Sequence, residues 1–131
     1  MKDRYVLDSS IWVEMERRNS RVLDKITPLI GRNEICLVDL IAAEVLRGTK
    51  TRKDFKALQK AFSDFPEIST RWEKVARLAF DVARRGFNPP LTDLYIAQAV
   101  REHGKTLITQ DSDFLQISRV KPFSLEFLAG S

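Results

Sequence analysis

The chain has 131 residues, 44% of them hydrophobic and 31% charged, the balance of a folded globular domain rather than a disordered one. Twenty-two Lys and Arg stand against 18 Asp and Glu, a net charge of +4 that favours encounter with anionic partners. One cysteine, Cys36, excludes an internal disulfide and a Cys-based zinc site, and one histidine, His103, excludes a His-rich metal cluster.

In chain order, Arg4 to Leu7 is a β-rich run, and Asp8-Ser9-Ser10 offers capping residues before a short helix carrying Ile11, Val13 and Met15. A second helix is predicted from Arg21, with Pro28 and Gly31 marking its end. Ile35 to Val38 reads as a buried strand, and Asp39 caps a helix that runs to Arg47 and stops at Gly48. Phe55, Leu58, Phe62 and Phe65 make one helical stripe, and Trp72, Val75, Ala76, Ala79, Val82 and Ala83 make another, with Trp72 read as core. Pro89-Pro90 forces a loop, after which Thr92 caps a helix from Asp93 to Glu102, closed by Gly104. Thr106 to Thr109 is a strand, Asp111 to Ile117 a short helix, and Val120 to Phe123 a last strand.

Strands alternating with helices predict an α/β fold, a three-layer α/β/α sandwich around a short parallel sheet of about four or five strands. No linker, repeat or low-complexity tract breaks the chain, so residues 1–131 read as a single domain. The longest stretches without a charge are seven residues, Gly86 to Thr92 and Leu94 to Val100, against the ~20 apolar residues of a spanning helix. No apolar segment follows the charges at Met1 to Asp8, so the expected location is the cytoplasm, away from membranes.

Carboxylates recur where such a sheet ends. Asp8 follows the first strand, Asp111 and Asp113 follow the strand ending at Thr109, Asp93 opens a helix, and Glu44 lies within the apolar run Leu40 to Leu46. In an open parallel sheet, ligands bind at the C-terminal strand ends. Two like charges ~4 Å apart at an effective dielectric of ~20 repel by about 4 kcal/mol, so such a cluster calls for protonation or a cation. Oxygen donors without His or Cys suit a hard ion, Mg²⁺ or Mn²⁺. Ions held this way activate water and stabilise charge on a phosphoryl group in an in-line displacement. Ser9, Ser10, Thr92 and Thr109 flank the acids and can orient them or bound water. Taken singly, Asp8, Asp93, Asp111 and Asp113 could equally be helix caps or first-turn acids, and Glu44 an exposed helix residue.

Val6-Leu-Asp8-Ser-Ser10, Ala43-Glu44-Val-Leu-Arg47-Gly48, Thr92-Asp93-Leu-Tyr-Ile-Ala97 and Leu107-Ile-Thr109-Gln-Asp111-Ser-Asp113-Phe114 together resemble the PIN domain. Their order, and spacings of 36, 49 and 18 residues between Asp8, Glu44, Asp93 and Asp111, are similar to those of VapC-type toxins of toxin–antitoxin pairs. The resemblance implies a PIN-like nuclease domain and a Mg²⁺-dependent endoribonuclease, with Mn²⁺ able to substitute. Asp8, Glu44, Asp93 and Asp111 would form the acidic set, hydrolysing RNA by metal-activated water. Either Asp111 or Asp113 could face the metal, and Glu44 could bind it directly or through water. The resemblance also implies a homodimer and a cognate antitoxin that joins it in a hetero-oligomer.

An aspartate-based phosphotransfer domain is the weaker reading, because Asp8 has no acidic neighbour after its strand. A non-catalytic binding module on the same fold is the other alternative. Basic residues gather at Arg17-Arg18, between Arg47 and Lys53, and at Arg84-Arg85; Arg47, one turn beyond Glu44, is the candidate RNA contact. With the five site acids set apart, 22 bases face 13 acids, so the remaining surface carries +9. Bases outside the site then favour RNA, and an acidic inhibitor segment, as partners.

Overall fold

The computed structural model describes residues 3–129. Its elements run β1 (Tyr5–Leu7), α1 (Ser9–Glu16), α2 (Ser20–Gly31), β2 (Ile35–Val38), α3 (Asp39–Arg47), α4 (Arg52–Phe62), β3 (Glu67–Ile68), α5 (Trp72–Ala83), α6 (Leu91–Glu102), β4 (Thr106–Thr109), α7 (Asp113–Val120) and β5 (Ser124–Phe127). Five strands form one parallel sheet in the order β3-β2-β1-β4-β5. The chain moves outward from β1 through β2 to β3, then returns to the other side of β1 with β4 and β5.

Short, apolar strands such as β1 and β2 are what a sheet covered on both faces requires. Tyr5, Leu7, Ile35 and Ile108 pack on one face against Ile11 of α1 and Val22, Ile26 and Leu29 of α2. Val6, Cys36, Val38 and Leu107 pack on the other face against α3, α5, α6 and α7. Side-chain alternation along β1 and β4 sends neighbouring residues to opposite faces and builds the α/β/α sandwich. Seven consecutive residues of α6, Leu94 to Val100, are buried, since α5, α7 and the sheet surround that helix. Gly104, at φ +67°, then turns the chain through the left-handed region, and Lys105 N–H bonds back to the Val100 carbonyl at 3.0 Å.

Several local expectations are corrected. α2 begins at Ser20 behind Asn19, whose side chain accepts from the N–H groups of Arg21 and Val22, and Pro28 lies inside this helix rather than ending it. Thr92 does not cap α6: Pro90 occupies the cap position and Leu91 already has helical geometry. α7 starts at Asp113 and consumes Val120, so the last strand is Ser124–Phe127 rather than Val120 to Phe123. β3, two residues long, has no apolar run that could have announced it. In α5 the buried residues are Val75, Leu78 and Val82, while Trp72 is 54% exposed and lies against the Tyr95 ring at 4.9 Å. Trp12 packs edge-on to Phe62 and Phe65, at 5.2 and 5.8 Å between ring centres.

Candidate metal centre

Register places the first two site residues side by side. β1 pairs with β4 so that Leu7 lies opposite Ile108, and the next residues, Asp8 and Thr109, meet at the strand ends. Both are buried. Thr109 Oγ1 donates to Asp8 Oδ2 at 2.8 Å and accepts from the Asp111 N–H at 3.0 Å. Ser10 donates its hydroxyl to the same Asp8 oxygen at 3.0 Å, and the Ser9 backbone N–H also supports that carboxylate. Ser9 therefore serves through its backbone, and Ser10 through its side chain. These strand ends lie at the point where the chain order reverses about β1, the usual crevice of an open parallel sheet.

Three further carboxylates converge there. Asp93, Asp111 and Asp113 are half-buried, and each offers an oxygen within 4.8 Å of those of the other two. Asp93 comes from the first turn of α6, Asp111 from the β4–α7 loop and Asp113 from the start of α7. Asp111 Oδ1 accepts from the Asp113 N–H at 2.9 Å, so one of its oxygens holds the turn. Asp8 and Glu44 stand outside this tight triad, yet the charges of both act on Asp93. Thr92 lies in the same turn as Asp93, half-buried, and bonds none of these acids among the described residues.

Electrostatics sets this cluster apart from ordinary caps. A helix N-terminus favours a charged carboxylate by typically 0.3–1 kcal/mol. Asp93 nevertheless has its pKa pushed up to about 7, first by burial and then by Asp111, Asp8, Asp113 and Glu44. Burial also raises Asp8, against the opposing hydrogen bonds from Thr109 and Ser10. Glu44 is raised by burial and by Asp8, and lowered by Arg47. Its Oε1 is buried without a hydrogen-bond partner, an arrangement that costs free energy unless something else binds it. An all-oxygen set of crowded acids with one orphaned oxygen fits a hard divalent cation.

A second polar group beside the crevice had no local signature. Tyr95, two residues beyond Asp93, donates its hydroxyl to both carboxylate oxygens of Asp39, at 2.9 and 3.0 Å, and accepts from the Thr70 N–H at 3.3 Å. It joins α6, which carries Asp93, to the start of α3, which carries Glu44. His103 is structural: Nε2 meets the Ser69 carbonyl oxygen at 2.9 Å, in the β3–α5 loop.

Comparisons with known proteins agree with this fold. No curated protein matches the chain by sequence. The structure of VapBC2 from Rickettsia felis, bound to a DNA fragment from the promoter, superposes with a TM-score of 0.75 at 19% identity, covering 95% of this chain and 98% of that one. DNA-bound VapBC from Salmonella typhimurium gives 0.76 at 15% identity, over 97% and 98% of the two chains. VapBC-5 from Mycobacterium tuberculosis, of the VapBC family of toxin–antitoxin systems, gives 0.66 at 21% identity, over 98% and 99%. These likenesses establish the fold. The PIN domain family model matches residues 5–120, a span that holds every acid of the crevice, and the chain accordingly belongs to the PIN domain family.

Proposed function

We propose that this chain is a Mg²⁺- or Mn²⁺-dependent endoribonuclease, the toxin of a toxin–antitoxin pair, acting as one nuclease domain in the cytoplasm. The observation that carries the reading is the convergence of Asp93, Asp111 and Asp113 within 4.8 Å, beside Asp8 and the orphaned Oε1 of Glu44. Asp8, Asp93, Asp111 and Asp113 would hold the cation, with Glu44 direct or through water. Bound there, a divalent ion neutralises the acids, activates water and stabilises charge on the phosphodiester in an in-line displacement.

The chain's own residues do the rest. Thr109 and Ser10 hold Asp8 in one orientation, and Thr109 at the same time fixes the loop bearing Asp111. Glu44 takes a proton from the attacking water as that oxygen bonds to phosphorus, and the bond to the leaving oxygen breaks, that oxygen taking up a proton from solvent.

An apolar groove of about 500 Å³ between α1–α2 and α3–α4, lined by Trp12, Met15, Leu23, Val45 and Leu58, supports an antitoxin partner. Phe80 and Leu91, both more than half exposed, supply apolar surface for a homodimer within the hetero-oligomer. Among the described residues no helix is long and apolar enough to cross a membrane.

The test is cleavage-end mapping on total RNA with the purified chain, with and without Mg²⁺. Cation-dependent cuts that vanish in Asp8→Asn and Asp93→Asn are expected. Unchanged cleavage in either variant would overturn the assignment.

A further inference from the structure

The +9 carried outside the acidic crevice is not spread evenly, and two grooves divide much of it. One groove, of about 420 Å³ between α5 and α6, has Lys74, Arg77, Arg101 and Lys121 on its walls, but also Asp81 and Glu102. There Lys74 pairs with Glu102 at 3.3 Å and Lys121 with Asp81 at 3.7 Å, so much of its positive charge is answered internally. The other, of about 560 Å³, runs from the end of α3 along α4 and is lined by Arg47, Lys50, Arg52, Phe55 and Lys56, with no acid among its walls.

The local sequence explains the second groove. On α4, Arg52, Phe55, Lys56 and Gln59 recur at helical spacing and form one stripe. Asp54, Ala57, Leu58 and Ala61 form the neighbouring stripe and line the apolar groove instead. The one acid at the start of α4 is thereby turned away from the bases. Lys53, which the sequence groups with them, is not on the groove wall; Lys56, one turn further on, is. Phe55 remains 37% exposed among four cations. At the inner end stands Arg47, one turn beyond Glu44, whose carboxylate lies within its field.

We infer that this groove is the track of a single-stranded RNA leading into the acidic crevice, with Arg47, Lys50, Arg52 and Lys56 on successive phosphates and Phe55 beneath a base. A positively charged groove with an aromatic platform is how single strands are bound without sequence preference. An acid-free wall next to a cluster of at least five carboxylates also gives the polyanion a place to bind where the crevice alone would repel it. The inference rests on the nuclease reading, because it names where that enzyme holds its substrate.

The experiment uses the full chain in an Asp8→Asn background and a fluorescein-labelled, unstructured 12-nucleotide RNA, followed by anisotropy from 50 to 200 mM salt. Single strands contribute about −0.7 to the log–log salt slope per neutralised phosphate, so Lys50→Glu with Lys56→Glu is expected to shrink the slope by about 1.4. Phe55→Ala is expected to weaken binding roughly 5- to 100-fold. Arg77→Glu with Lys121→Glu, in the ion-paired groove, is expected to change neither. Thermal melts confirm that each variant is folded, and Lys50→Gln with Lys56→Gln repeats the test with less charge change. Unaltered affinity and slope in both folded double variants would overturn the proposal. So would retained RNA affinity with lost binding of poly-glutamate, which assigns the groove to an acidic protein segment. Groove-dependent binding without any cation-dependent cleavage by the chain with Asp8 intact would leave the track standing and defeat the nuclease reading.

Discussion

Asp8 and Thr109, 101 positions apart in sequence, share a buried hydrogen bond of 2.8 Å at the ends of adjacent parallel strands. Thr109 has one hydroxyl, and it serves both halves of the crevice: its proton goes to Asp8 and its lone pair takes the Asp111 N–H. Thr109→Val keeps the shape and removes both bonds. Asp8 Oδ2 keeps the Ser10 hydroxyl, but the Asp111 N–H is left without its acceptor, a cost of about 1–3 kcal/mol read as a drop in the urea midpoint at unchanged slope. A midpoint equal to that of the parent chain would show that the bond carries no stability.

Asp93 makes stability depend on pH in a defined direction. Its folded pKa of about 7 lies above the ordinary 3.8, so between those values the native state keeps a proton that the unfolded chain has released. The stability it contributes is full below about pH 4 and is lost as pH rises through about 7. Asp8 and Glu44, also raised, act in the same direction. In chelator-treated protein the urea midpoint is expected to be lower at about pH 8 than at about pH 5. Asp93→Asn should flatten that difference. Mn²⁺ needs the ionised carboxylates, so it should raise the midpoint more at the higher pH. An equal Mn²⁺ effect at both pH values would contradict this.

Glu44→Gln separates stability from chemistry. The substitution keeps the size of the side chain and removes a charge from a site where Oε1 has no partner. In cation-free protein at about pH 8 the variant should be as stable as the parent or more so. RNA cleavage should fall on the order of 10²-fold or more, the range of a lost general base. Cleavage at the parent rate would remove Glu44 from the mechanism.

Tyr95→Phe tests the tie between α6 and α3. The ring and its contact with Trp72 stay, while Asp39 keeps the Leu40 N–H but loses its side-chain donor, and Thr70 N–H loses its acceptor. Hydrogen bonds to charged groups contribute about 1.5–3 kcal/mol, so a loss in that range is expected in urea unfolding. The near-ultraviolet spectrum of Trp72 should be retained. A loss no larger than that of an exposed Tyr→Phe change would deny the tie any structural weight.

Cys36, in the middle of β2 and raised to about 11 mainly by burial, should resist alkylation. Iodoacetamide at about pH 8 is expected to label it only at the rate of global unfolding. Rapid labelling of the folded chain would contradict its place in the core.

Much of this architecture is written in local pattern. β1, β2 and β4 are short apolar runs, and a strand ended by Asp or Thr–x–Asp needs no distant information to be read. The positions that escaped are those whose state is set by neighbours. Glu67–Ile68 is a strand only because Leu37 and Val38 of β2 offer an open edge. Val120 reads equally well as strand or helix until packing extends α7 through it. Trp72 sits on an apolar stripe, yet its place at the first turn of α5 leaves it on the surface. In the crevice, five acids could be named from sequence, but the tight grouping of Asp93 with Asp111 and Asp113, and the choice of Ser10 rather than Ser9 as the hydroxyl on Asp8, depend on geometry. The Asp39–Tyr95 pair, 56 positions apart, has no sequence signature at all.

The place of β1 in the sheet bears on when the protein can act during its own synthesis. It is made first, yet it lies between β2 and β4, and the partner on its far side is not made until residues 106–109. A chain still on the ribosome at residue 105 has Asp8, Glu44 and Asp93, but lacks the Thr109 hydroxyl on Asp8 and two acids of the triad. Non-local strand pairing of this kind also closes late in folding. For an enzyme whose substrate would be RNA, this order of elements would leave a nascent chain without its assembled acid cluster until residues 106–113 have emerged.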